Sequence, residues 1–283
     1  MLYVEREATD QQIQAGAVVT PEEDGRQHLC GWLFGIGDHQ LYPAEAMPSS
    51  RWKVLEVDVD DLTHLDGGVA FKRGYVMHTG DKLSATRYLE EHAPGVRSAP
   101  VIGACRQTGN QQSIQVGAYG HAVSGDSGRA CAGDYGSAAA GVRGEAVAGE
   151  SGFASVGDRG TARVGDFGEA HAGEFGTATA GHGGTATAKD GGTAQVGDAG
   201  SASAGDFGNA QAGEKGIACA GRHGTASAGE RGEIRLRYWD AQAARNRTVI
   251  GYIGENGLQA NTPYKLDANH QFAKVERTQG AKE

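Results

Sequence analysis

Glycine stands at every eighth position from Gly120 to Gly232, fifteen times without a break, and no other feature constrains the fold as strongly. Alanine fills the position two residues later from Ala122 to Ala226. The position two further on, from Ser124 to Leu236, holds only Ser, Ala, Val and a final Leu. Written from its turn, the unit is G-[DE]-x-G-x-A-x-A, as in the stretch from Gly165 to Ala172. Alternation with a period of two inside a period of eight predicts a short strand with Gly, Ala and Ala or Val on its inward face. The three residues left over, such as Gly165-Asp166-Phe167, form a corner, where glycine is expected to supply the left-handed conformation of a sharp turn.

The period also explains the composition. Forty-seven glycines and 7% aromatic residues depart from ordinary globular usage, but a flexible linker scatters its glycines and this chain does not. Core volume then sets the number of walls. Three walls enclose a space that Leu, Ile or Phe must fill, whereas Gly and Ala fill only the gap between two sheets in close approach. The expected fold class is therefore mainly β: a two-sided β-solenoid over residues 118–237, with two octads per 16-residue coil. Coils stacked about 4.8 Å apart would make a rod on the order of 36 Å long. Larger apolar residues at its two ends, Ile114 and Val116 before the array and Ile234 and Leu236 at its close, suit the docking of capping segments.

The flanks read differently. Residues 1–117 suggest a small N-terminal α+β domain. Residues 52–59 and 68–78 alternate like strands, and 81–92 has a helical pattern with Asp81 as its N-cap and Pro94 beyond its end. Residues 238–283 suggest a β-rich C-terminal cap, with strand-like stretches at 234–239, 248–253 and 271–275 and turn signals at Glu255-Asn256-Gly257 and Asp267-Ala268-Asn269.

Charge and cysteine usage narrow the function classes. The three segments carry formal charges of −6, −4 and +1, adding to −9, and an acidic balance argues against direct nucleic-acid binding, which needs a basic stripe. The four cysteines, Cys30, Cys105, Cys131 and Cys219, have neither zinc-site nor disulfide-framework spacing. No signal-peptide pattern or membrane-length apolar run is present, so the expectation is a soluble chain in a reducing cytoplasm, the host's if the gene is a phage's. No nucleophile, phosphate-loop or metal pattern emerges, which predicts a non-catalytic protein without cofactor or metal. His78, His92 and His121 read as scattered surface histidines, and Asp58, Asp60 and Asp61 as a solvated strand end.

Two sets of exposed positions remain. The first turn position is acidic in eleven of fourteen octads. In a two-sided coil these residues form two columns: Asp126, Asp158, Glu174, Asp190 and Asp206 on one edge, and Asp134, Glu150, Asp166, Asp198, Glu214 and Glu230 on the other. Like charges about 4.8 Å apart repel by roughly 0.9 kcal/mol even in water, which a cationic partner would relieve. Two acidic ridges separated by about 17 to 20 Å match the width of a DNA duplex. The second set is the outward strand positions, where only Thr177/Thr179 and Thr185/Thr187 are complete T-x-T rungs, and they fall on opposite faces.

The unit Gly183 to Ala188, together with Tyr238-Trp239-Asp240, Gly251-Tyr252-Ile253-Gly254-Glu255 and Pro263-Tyr264-Lys265-Leu266-Asp267, resembles uncharacterised bacterial and phage octad-repeat proteins. More distantly, the double octad is similar to the β-solenoid of bacterial ice nucleation proteins. The resemblance implies a fold and no particular activity. The leading expectation is a non-catalytic phage or mobile-element protein whose acidic edges bind a basic or nucleic-acid-binding protein of a host defence complex, with oligomerisation open. The alternatives are a structural spacer or virion-associated adhesin, and an ice-binding solenoid.

Overall fold

The structure, a computed structural model, describes residues 1–5, 15–21, 28–41 and 51–275. It is mainly β and divides into two compact units, Met1–Gln107 with Ile114–Ala122 and Ala132–Ser137, and Thr108–Ser113 with Val123–Cys131 and Ala138–Glu283. The end of the expected cap, residues 276–283, lies outside the described residues.

In the first unit a four-stranded antiparallel sheet runs in the order Leu2–Glu5, Arg51–Glu56, Gly74–Gly80, Val18–Val19. A second sheet of three strands orders Leu29–Gly31, Gly68–Phe71, Thr63–Leu65. Residues 68–78, expected as one strand, are thus split between two sheets. Phe71 and Val76 are both core residues, and because they are five apart no single two-residue alternation can bury both. The core gathers Val19, Leu29, Leu55, Phe71 and Val76, and Trp32 stacks on Trp52 at 6.0 Å. The helix Lys82–His92 starts where expected, because the Asp81 carboxylate accepts the Ser84 N–H at 2.7 Å. Behind it the buried Arg106 guanidinium donates to the carbonyls of Val96 and Gln115 and pairs with Glu90 at 2.7 Å, so the buried charge is satisfied on several sides.

The second unit holds the regular coils. Strands pair in parallel with partners sixteen residues away, as Thr161 with Thr177 and Thr193 with Asn209. One wall orders Phe153–Val156, Glu169–Ala172, Thr185–Ala188, Ser201–Ala204, Ile217–Ala220 and Glu233–Asp240. The other orders Glu145–Ala148, Thr161–Val164, Thr177–Ala180, Thr193–Val196, Asn209–Ala212 and Thr225–Ala228. Strictly alternating walls with a sixteen-residue register are the two-sided coil that the sequence implies. The interior is as thin as expected: Ala146, Ala162, Ala170, Ala186, Ala202 and Ala218 are all completely buried.

A buried methyl contributes only about 0.8 kcal/mol, so stability here accumulates coil by coil through the ladders rather than from large core residues. The coils end by a change of strand direction. Glu233–Asp240 continues its wall in parallel and then pairs antiparallel with Arg245–Tyr252, while Tyr264–Leu266 adds antiparallel to the other wall and is covered by Phe272–Lys274. Ile234 and Leu236, the larger residues in the alanine series, are buried at this closure.

Candidate functional site

The outer surface of the second unit has two parts, corners and faces, and each corner has the same construction. The second turn residue adopts the left-handed conformation in every octad of the array, across both units, from Tyr119 to Arg231, with φ between 51 and 66°. The glycines on either side of that position, such as Gly165 and Gly168, do not, which corrects the role expected of them. Their constraint is space. A Cβ on Gly165 would lie 2.8 Å from the Glu150 amide nitrogen of the preceding coil, and one on Gly168 would meet Val164 Cβ at 2.7 Å. Glycine is therefore fixed by the closeness of coils, and the left-handed turn falls on Phe, Arg, Ser, Lys or Tyr at a cost of roughly 1 kcal/mol each.

The acidic residue offsets that cost. The Oδ1 of Asp126, Asp158, Asp166, Asp190, Asp198 and Asp206 accepts the backbone N–H of the residue sixteen positions on, at 2.7 to 2.9 Å. Asn110 does the same for Asp126 at 2.9 Å. Each bond joins one corner to the next along the same edge. These carboxylates occupy the stack axis as backbone acceptors.

The remaining charge is partly matched within the chain. Both Nε and Nη2 of Arg222 reach Asp206 Oδ2, and this hydrogen bond, with the Arg222 charge, holds the Asp206 carboxyl below its usual range. Glu214 pairs with Lys215 at 3.6 Å and with Arg231. In the first unit, the Asp134 carboxylate lies 3.7 Å from His39 Nδ1. Glu174 and Glu230 are exposed, while their backbones take part in the corner ladder. Glu150 supplies a backbone amide that crowds against Gly165.

Exposed aromatic rings also ride on the corners. Phe167, Phe175 and Phe207 are 60 to 69% exposed. Phe167 and Phe175 lie over the bare left-handed glycines of the next coil, Gly183 and Gly191, where an added Cβ would come within 2.8 Å of each ring. An aromatic covering a neighbouring glycine shields its backbone. Phe207, whose neighbour is His223, stacks on that imidazole at 5.1 Å.

The faces differ from one another. Register aligns Thr161, Thr177, Thr193, Asn209 and Thr225 in one column of the second wall. At its start Arg129 and Arg163 both pair with Glu145, at 3.0 and 2.9 Å. Beyond them the rungs Thr177/Thr179, Thr193/Gln195 and Asn209/Gln211, with Thr225 above, carry hydroxyls and amides and no charge. Side-chain hydrogen bonds run along this ladder from Gln195 to Gln211 at 3.2 Å and from Thr225 to Asn209 at 2.9 Å. On the opposite wall Thr185/Thr187 lies between the ion pair Glu169–His171 and the serines of Ser201–Ala204. Residue counting gave the members of these columns and the wall that each rung joins; the side-chain hydrogen bonds along the ladder are what the structure adds.

The remaining candidates from the sequence are separate. His78 and His92 sandwich Tyr88 at 5.0 and 3.9 Å, a ring stack within the first unit that does not include His121. Asp58 caps a short 3-10 turn through the Asp60 N–H, and Asp61 faces Arg73 at 3.4 Å. Among the described residues no group of three or more His, Cys, Asp or Glu is placed to hold a metal ion. The cysteines are free thiols, and burial pushes Cys219 up from its usual value, away from nucleophilic use.

No protein-family model and no solved structure matches the chain. Curated relatives do. An ice nucleation protein of Pseudomonas syringae is 36% identical over 74 residues, covering 25% of this chain and 6% of its own length. Ice nucleation protein InaU of Pantoea ananas is 30% identical over 128 residues, or 34% of this chain and 12% of its own. One from Enterobacter agglomerans is 28% identical over 128 residues, with 10% of its length covered. The chain thus spans a small fraction of the relatives it matches.

Proposed function

We propose that this protein is a non-catalytic β-solenoid that acts through the flat, uncharged hydroxyl and amide face of its second wall, and that this face orders water and binds ice. The observation that carries the reading is the neutral ladder from Thr177 to Thr225, in which like side chains recur once per coil, about 4.8 Å apart. Fixed, repeating hydroxyls without charge are the arrangement in which bound water can adopt one regular lattice, since a charge imposes its own hydration instead. Similarity to ice nucleation proteins over part of the chain supports the same reading. A role as an acidic decoy would need carboxylates available to a partner, and six corner aspartates already hold backbone N–H groups along the stack.

Thermal hysteresis provides the test. A solution of the protein should freeze below its melting point when a small ice crystal is present, and Thr193→Lys should close that gap while Thr185→Lys, on the opposite wall, should leave it. A wild-type solution with no gap would refute the reading, as would an equal loss in both variants.

A further inference from the structure

The second unit also contains a cleft of about 510 Å³ where a corner of the coils meets the closing strands, lined among others by Arg222, His223, Arg237, Tyr238, Asp267 and His270. That volume falls within the range of small-molecule sites. Its lining differs from the rest of this acidic array. Two arginines and two histidines face one carboxylate, Asp267, whose Oδ1 is already taken by the backbone N–H groups of Asn269 and Gln271. Arg222 is held by Asp206 through Nε and Nη2, which fixes the guanidinium.

The Tyr238–His270 stack, at 3.7 Å and 16°, lines this space, and His223 beside it is stacked on Phe207 at 5.1 Å and 18°. His270, in the left-handed region with φ 57°, is held at the cleft by its turn. Neither stack belongs to the buried core: Phe207 is 69% exposed and His270 is exposed. Preset flat rings beside a fixed guanidinium favour a ligand that has a planar base to stack and an anionic group to pair.

We infer that this cleft binds a nucleoside monophosphate, the base against the Tyr238–His270 stack and the phosphate toward Arg222. The inference is independent of the ice-binding face. It accommodates a free nucleotide or the phosphorylated end of a strand, which present the same chemistry. Trp239 lines the cleft and is 49% exposed, while Trp32 and Trp52 are fully buried, so tryptophan emission reports on this site.

The experiment is a fluorescence titration of the full chain with guanosine monophosphate, ribose 5-phosphate and inorganic phosphate, followed by a 5′-phosphorylated tetranucleotide. Saturable change with the nucleotide, and at least tenfold weaker binding of ribose 5-phosphate and phosphate, is the expected result. Arg222→Gln and His270→Ala should each weaken nucleotide binding roughly tenfold or more. Both variants should keep the wild-type circular dichroism, because the residues they change lie at the surface. Tighter binding of the tetranucleotide than of the mononucleotide would assign the strand end as the source, and the reverse would assign the free nucleotide. No saturable response to any of the four ligands would overturn the inference, as would equal responses to nucleotide and phosphate or unchanged affinity in both folded variants.

Discussion

The corner aspartates separate two uses of one carboxylate, as a charge and as a hydrogen-bond acceptor. If the acceptor matters, Asp190→Asn should leave the melting temperature almost unchanged, because an amide oxygen takes the Asp206 N–H as Asn110 takes the Asp126 N–H. Asp190→Ala should cost about 1 kcal/mol, read from denaturant unfolding. The left-handed residue beside it gives a prediction of the opposite sign. Ala199 has φ 55° and a side chain that is a single methyl, so Ala199→Gly should raise stability by up to about 1 kcal/mol, less the entropy glycine adds to the unfolded chain. Asp206 adds a dependence on pH. Its carboxyl is held below the usual range mainly by the hydrogen bond from Arg222, so it stays ionised to lower pH in the folded chain than in the unfolded one. Its contribution is complete above the unfolded value of about 3.9 and disappears as pH falls through the lower folded value. Arg222→Gln should remove that part of the acid sensitivity in melts taken across this range.

At the level of strands and coils, thickness is the controlling quantity. Ala170 is completely buried between walls lined by methyl groups, and Ala170→Leu should destabilise by at least about 1 to 3 kcal/mol because the walls cannot part locally without breaking ladder hydrogen bonds. Ser203→Leu, two strands along the same wall and exposed, should cost far less, and a chemical-denaturation comparison of the two checks the inward and outward assignment. The coil was legible in the sequence because the repeat samples the same environment many times: Ala at each inward position admits one reading, and two octads per coil follow from volume. The helix start was legible because Asp81 is a local signal. The corner was misread at one atom's scale, since glycine serves both turn conformation and close approach, and only coordinates show that Gly165 and Gly168 serve the second. The division of 68–78 between two sheets, the Arg106 latch and the Tyr238–His270 stack all join residues distant in sequence or break a periodicity, so no local pattern announced them.

Taken as a whole, the chain carries −9 at neutral pH, yet the surface assigned to function carries no charge from Thr177 to Thr225. That contrast is physically coherent: acidic edges keep such chains apart in solution, while the neutral ladder offers water a regular hydroxyl and amide lattice. The closing antiparallel strands have a matching role, since removing residues 245–283 would bare the wall edge formed by Glu233–Asp240. The truncated chain should aggregate at concentrations where the full chain remains monodisperse by light scattering. The most direct measurement for the central claim is the partition of fluorescently labelled protein into a slowly growing ice hemisphere. The account predicts that wild type and Thr185→Lys enter the ice while Thr193→Lys stays in the liquid; exclusion of the wild type, or uptake of Thr193→Lys to the wild-type level, would contradict it.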